Sequence, residues 1–252
     1  VRSEEVSNYV FNLSSIYWDK NVRSLVVRLL NALKCFYTFK DLEELLNVPQ
    51  QVLWRYVNFL TVPEEGTARR ILNRIEELKL VEKIIEQRVR VSNGKVVEKW
   101  RFYENVGFLD IFSFYVLTIV RIDDVDTVLG FPEDSTALAT SVAQWLRAYL
   151  CVATRNALTS DGTKYVTEVC TSQVTGRVEY LAVPRGCLEK GDLVLLVTDV
   201  LNDAELLGTA VRLVRKAQAE PWGLVAVAAL PELITEARRY GIKNVKVLKL
   251  IT

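Results

Sequence analysis

The stretch "VLLVTDVLNDAELLGTA", residues 194–210, constrains the fold more than any other. A run of apolar residues ends in an aspartate and a short polar turn. An amphipathic segment follows, with Leu207, Ala210, Val211 and Val214 at helical spacing. Apolar strand, acidic turn and helix make up the repeating unit of parallel sheets with crossover helices. The turn at the carboxyl end of such a strand is where these folds hold phosphorylated ligands. Here the turn reads Asn202-Asp203-Ala204-Glu205, without a glycine and with two carboxylates in the place of a phosphate.

The alternation continues through the second half of the chain. Phe108–Val120 reads as a helix, 125–131 as a buried strand, Ser135–Leu150 as a helix and 150–154 as a strand. Residues 154–165 read as a loop, and Val166–Val174 pairs with Val178–Val183 across Thr175-Gly176. Strands at Leu193–Val197, Leu224–Leu230 and Val245–Ile251 alternate with helices at Leu207–Ala217 and Pro231–Tyr240. This pattern predicts an α/β unit with a Rossmann-like parallel sheet.

The first half is patterned differently. Helices are expected at Val22–Lys34, from Thr38 or Asp41 through Leu46, at Gln50–Leu60 and at Thr67–Lys79. Leu80–Val91 fits either a helix or a strand, "SNGK" is a turn, and Val96–Tyr103 alternates like a strand. The boundary between an all-α front domain and an α/β back domain is placed at 90/91, giving domains 1–90 and 91–252.

Composition removes several kinds of chemistry. The chain has no histidine, which excludes Ser-His and Cys-His nucleophiles, histidine general bases and histidine metal sites. Cys35, Cys151, Cys170 and Cys187 form no CxxC pair, so all four are expected to be free thiols in a reducing cytoplasm. No apolar run is long enough to span a membrane, and no metal site is expected. Residues 1–105 carry 17 Lys and Arg against 14 Asp and Glu, a mild excess that permits nucleic-acid binding without demanding it.

Two short helices around a tight turn, framed by two more, make a helix-turn-helix plan. "FKDLEELLNVPQQVLWRYVNFL" fits it, with Leu42, Leu46, Val48, Leu53 and Tyr56 at the apolar contacts and Asn47 at the turn. Glu43 stands where a small residue is preferred at the helix crossing. The stretch 22–80 resembles prokaryotic DNA-binding domains of the phage-repressor type. That resemblance implies that helix 50–60 enters the major groove and presents Gln50, Gln51, Trp54, Arg55 and Asn58, with Arg69 and Arg70 on the backbone. A competing arrangement makes Thr67–Lys79 the reading helix, through Arg69, Arg70, Asn73 and Arg74, with 80–103 as a wing.

The opening stretch is similar to the ribose-phosphate loop of type I phosphoribosyltransferases, in which a strand ends in two acids and a Thr/Gly turn cradles the 5′-phosphate. Asp199 matches the second acid and Thr198 replaces the first. Asn202, Asp203, Ala204, Glu205 and Leu206 replace the Thr/Gly turn, so phosphoribosyl pyrophosphate binding is expected to be much weakened. Pro132–Thr136, including Ser135 and Thr136, matches the pyrophosphate loop. "CVATRNALTSDGTKY" matches the mobile basic loop, with Arg155 and Lys164 as its cations.

A helix-turn-helix head on such a body resembles microbial, especially archaeal, transcription regulators. The resemblance implies a cytoplasmic, non-catalytic homodimer on double-stranded DNA, with no fixed cofactor and a nucleotide-like or phosphoribosyl pyrophosphate-like effector. The alternative is an active nucleobase phosphoribosyltransferase.

Overall fold

A computed structural model describes residues 22–117, 120–121, 124–157, 162–171 and 176–252. The ends of the expected helix 108–120 and strand 166–174, and the middle of the loop 154–165, fall partly outside these residues. The chain divides into two compact units, Val1–Glu86 and Gln87–Thr252.

In the first unit, α1 (Val22–Lys34) has Leu25, Val26, Leu29, Leu30 and Leu33 almost wholly buried and packs against α3 and α4. Each such leucine contributes roughly 1.5–3 kcal/mol through the area it removes from water. α2 (Phe39–Leu46) begins with a capping box: the Thr38 hydroxyl accepts from the Asp41 N–H, and the Asp41 carboxylate accepts from the Thr38 N–H at 2.7 Å. These hydrogen bonds hold the Asp41 carboxyl below its ordinary range. α2 ends at Asn47, in the left-handed conformation that asparagine tolerates (φ 53°).

α3 (Gln50–Val57) is shorter than the expected 50–60. Phe59 turns left-handed (φ 56°) and the Leu60 N–H bonds back to the Arg55 carbonyl, which closes the helix. α4 (Glu65–Glu77) begins two residues before the expected Thr67. α5 (Leu80–Arg88) makes most of the ambiguous stretch a helix, while Arg90 and Val91 at its end are strand.

The second unit opens with a hairpin of β1 (Arg90–Ser92) and β2 (Lys95–Val97), turned by Asn93 and Gly94, both at positive φ. The strand expected to reach Tyr103 stops at Val97. Glu98 goes left-handed and Lys99–Phe102 form one 3₁₀ turn, with Arg101 hydrogen-bonded to Glu98 at 2.8 Å. Phe102 is buried and stacks on Phe108 of α6 (Val106–Val116). α7 (Thr136–Leu146) ends earlier than the expected Leu150. Arg147 adopts φ 57°, and Tyr149 and Leu150 belong to β4 (Tyr149–Val152).

The main sheet holds β4, β3 (Thr127–Gly130), β7 (Leu193–Leu201), β8 (Glu220–Ala229) and β9 (Asn244–Leu250), in that order and all parallel. α8 (Ala204–Lys216) and α9 (Pro231–Arg239) join its later strands. Both faces of β7 are covered, so Val194–Asp199 are all buried; this is why the strand reads as a continuous apolar run. Val194, Leu196, Leu207, Val211 and Val214 share one core cluster.

β5 (Tyr165–Thr171) and β6 (Val178–Pro184) pair antiparallel as expected and pack on α8. An isolated bridge between Thr154 and Ala182 ties this hairpin to the segment after β4. A disulfide joins Cys151, within β4, to Cys187, just after β6, with Cα atoms 5.7 Å apart. The expectation of four thiols is thus corrected: Cys151 and Cys187 are bridged, and Cys35 and Cys170 form no disulfide. The pairing joins residues 36 apart that only the folded sheet brings together. Among the described residues, no helix is long and apolar enough to cross a membrane.

Candidate functional site

Strand order turns around between β3 and β7: the chain leaves β3 toward β4 on one side and reaches β7 on the other. The crevice at the carboxyl ends of those two strands is the topological switch point, where open parallel sheets take their ligands. Gly130 closes β3. A Cβ there would lie 2.8 Å from the Ala139 Cβ, so the close approach of α7 requires glycine. The cis Phe131–Pro132 peptide and the 3₁₀ turn Glu133–Ser135 follow. The buried Ser135 hydroxyl accepts from the Asp199 N–H at 3.1 Å and donates to the Phe131 carbonyl. Thr136, at the start of α7, is exposed and donates its hydroxyl to the Glu133 carbonyl.

Thr198 and Asp199 lie inside β7, not beyond its end as the expected Leu193–Val197 strand places them. Asp199 is 2% exposed and lines the crevice. Its Oδ1 accepts from the Val200 N–H at 2.6 Å. Its Oδ2 accepts from the Tyr103 hydroxyl at 2.6 Å and meets the Lys99 ammonium at 2.6 Å. Lys99 also reaches Asp134 at 3.4 Å. Burial, and then the adjacent Asp199 carboxylate, push the Tyr103 phenol far above its ordinary range, so it stays protonated and donates.

The turn after β7 is also filled from within. Asp203 is 3% exposed and caps α8: its Oδ1 accepts from the Glu205 and Leu206 N–H groups at 3.0 and 3.1 Å. Those are the first-turn donors that a phosphate would use at a helix N-terminus. The sequence suggests that Asp203 and Glu205 both repel a phosphate. Instead Asp203 turns inward and takes the donors itself, while Glu205 is exposed, 4.0 Å from Arg212. Ala204 opens the helix and Leu206 lines the cleft.

The cleft measures about 530 Å³ and belongs wholly to the second unit. Val96, Pro132, Leu206 and Leu230 supply apolar walls, and Lys95, Asn202 and Arg155 supply polar ones. Arg155 Nε stands 3.6 Å from Glu179 and 3.9 Å from Glu133, within ion-pair range, yet it is buried without a hydrogen-bond partner among the described residues. Lys164 is exposed just before β5 and does not line the cleft. Residues 158–161 of the expected mobile loop lie outside the described residues. Lys95, Lys99 and Tyr103 belong to this site and have no signal in sequence: their segment alternates like a strand, and Tyr103 meets a partner 96 residues away.

The sequence resemblance would have Asp199 accept ribose hydroxyls and the turn at 202–206 hold a phosphate. In the structure the Asp199 carboxylate already bonds Lys99 and Tyr103, and Asp203 already bonds the Glu205 and Leu206 N–H groups.

In the first unit, Gln50, Gln51, Trp54, Arg55 and Asn58 are all exposed on or just after α3, with Trp54 at 49%. Leu53 is the one fully buried residue of that helix. Glu43 accepts from the Gln50 side chain at 2.6 Å, which gives the departure at the helix crossing a partner and occupies Gln50. The Asn58 side chain is used at the helix end, on the Trp54 carbonyl. Arg69 pairs with Glu65 at 2.9 Å, Arg70 reaches the Thr67 hydroxyl, and Arg74 bonds the Leu45 carbonyl and Glu77. Gln51 and Arg55 have no side-chain partner among the described residues.

No protein-family profile and no curated protein matches the chain. Solved structures of adenine phosphoribosyltransferases do. The Giardia lamblia enzyme complexed with 9-deazaadenine superposes with a TM-score of 0.57 at 14% identity, over 67% of this chain and 97% of that one. The Rhodothermus marinus enzyme gives 0.55 at 16%, over 68% and 99%. The Trypanosoma brucei enzyme, in complex with AMP, pyrophosphate and ribose-5-phosphate, gives 0.55 at 18%, over 68% and 79%. About two thirds of the chain therefore has the type I phosphoribosyltransferase fold, built on its parallel five-stranded sheet.

Proposed function

We propose that the chain is a sequence-specific, double-stranded-DNA-binding transcriptional regulator of the archaeal type, working in the cytoplasm as a homodimer. In this reading the first unit is a helix-turn-helix head. The second is a non-catalytic body that pairs two copies and senses a nucleotide-related metabolite. The observation that carries it is the self-filled switch point: Asp199 is held by Lys99 and Tyr103, and the α8 donors by Asp203. A transferase needs those groups for its substrate.

The exposed face of α3 supports the head. Gln51 can pair bidentately with adenine and Arg55 with guanine or a phosphate. Two heads on a two-fold axis would read half-sites roughly 34 Å apart. A metabolite that prefers one arrangement of the pair would change DNA affinity by its difference in affinity for the two arrangements.

Fluorescence anisotropy on genomic fragments over a salt series tests the reading. Binding is expected to weaken steeply with salt as phosphate contacts release counterions. Flat, negligible binding to every fragment overturns it. The likeness to adenine phosphoribosyltransferases favours a second reading, in which the chain transfers ribose 5-phosphate to a nucleobase. Turnover of labelled phosphoribosyl pyrophosphate with magnesium and adenine would establish that instead.

A further inference from the structure

The disagreement between fold and cleft points to what the cleft accepts. At a parallel-sheet switch point, the first-turn N–H groups of the helix that follows the strand form a ready anion site. Here α8 has that position, and its Glu205 and Leu206 N–H groups both point at one oxygen of Asp203. Asp203 is buried, does not line the cleft and carries the charge a phosphate would bring. Lys99 pairs with Asp134 and Asp199. Arg155 lies 3.6 Å from Glu179 and 3.9 Å from Glu133, and its buried Nε has no hydrogen-bond partner among the described residues. The remaining surface is apolar at Val96, Pro132, Leu206 and Leu230, with Asn202 and Lys95 beside it. Such a cleft offers a flat body its apolar walls and a few hydrogen bonds, and withholds from a phosphate dianion the two N–H donors at the start of α8.

We infer that Asp203 is a built-in substitute for a ligand's phosphate, and that the cleft takes an unphosphorylated ligand of nucleoside size. This rests on the sensor reading above only for the ligand; the role of Asp203 stands on its own hydrogen bonds.

The test uses the full chain and calorimetric titration with adenosine, AMP and inorganic phosphate. The wild type is expected to bind adenosine at least about tenfold more tightly than AMP and to give no heat with phosphate. Asp203→Gly empties the donors at little expense to the helix, since glycine is an acceptable N-cap. It is expected to gain phosphate affinity by about tenfold or more. Asp203→Asn removes the charge but keeps the capping oxygen, and is expected to behave as the wild type toward phosphate.

Three results overturn the inference: AMP preferred over adenosine by the wild type, a folded Asp203→Gly variant with no gain for phosphate, or an equal gain for Asp203→Asn. The last would make charge, not occupied donors, the barrier. If adenosine and AMP both fail on the wild type while Asp203→Gly takes phosphate, the role of Asp203 is supported and the sensor reading is the one that falls.

Discussion

The Lys99 ammonium lies 2.6 Å from Oδ2 of Asp199, whose side chain is 3% exposed, although the two residues are 100 positions apart. A carboxylate so deeply placed needs its cation, because removing one partner of a buried pair leaves the other charge uncompensated. Lys99→Met is expected to destabilise the second unit by about 1–2 kcal/mol, at the low end for a buried pair because Lys99 itself is 39% exposed and water can reach the gap. Urea denaturation reads the loss. Adding Asp199→Asn to the same variant should recover part of it; no recovery would mean that packing, not charge, is responsible.

Tyr103 makes a pH prediction. Its phenol is raised above the ordinary value of 10.0, first by burial and then by Asp199. A group whose folded pKa is raised stabilises the fold below the unfolded value, and that stabilisation is lost as pH climbs past it. The chain should therefore lose stability progressively above pH 10, where the unfolded state ionises Tyr103 and the folded state resists. Tyr103→Phe should cost roughly 1–2 kcal/mol at neutral pH and show a flatter alkaline limb in thermal midpoint against pH.

Gly130 sets the distance between β3 and α7. Gly130→Ala drives a methyl group to within 2.8 Å of the Ala139 Cβ, a neighbour with no rotamer to yield. The expected loss is about 1–3 kcal/mol, as for other overpacked cores. A wild-type denaturation midpoint would show that the helix simply moves aside.

The Cys151–Cys187 disulfide closes a loop of 36 residues. Constraining an unfolded loop of that length contributes about 4 kcal/mol on the chain-entropy account. Paired thermal melts with and without dithiothreitol, and of Cys151→Ser, should shift together. Identical melts in all three would show that the bridge does not form in solution.

Arg55 tests the head. Its side chain is exposed on α3 with no partner among the described residues. Arg55→Ala should weaken DNA binding by about 1–3 kcal/mol if it reads a base, and reduce the salt slope by about 1 if it holds a phosphate. Gln50→Ala should matter less, because Glu43 already occupies that amide.

Much of this architecture is legible in the chain because the residues that build it act locally. α1 shows its apolar face at helical spacing, and the capping box at Thr38 and Asp41 is a four-residue signal. β7 is an apolar run wherever it is read, since both its faces are covered. The site is legible only in part. The sequence marks Asp199 and the missing glycines, but Lys99 and Tyr103 come from a segment whose alternation says strand until Glu98 breaks it. Asp203 is both a charge opposed to a phosphate and the residue type that caps helices. Which role prevails depends on where its carboxylate turns, and only the folded turn decides that. The cysteine pairing fails for a similar reason: two residues with no shared motif meet only once the sheet and hairpin have docked.

The lock on Asp199 also constrains what can change around it. Without Lys99 and Tyr103 the fold would carry a bare, deeply placed carboxylate. A change at either position would therefore carry a penalty that a change at Asp199 relieves, and the three positions are expected to vary together rather than one at a time.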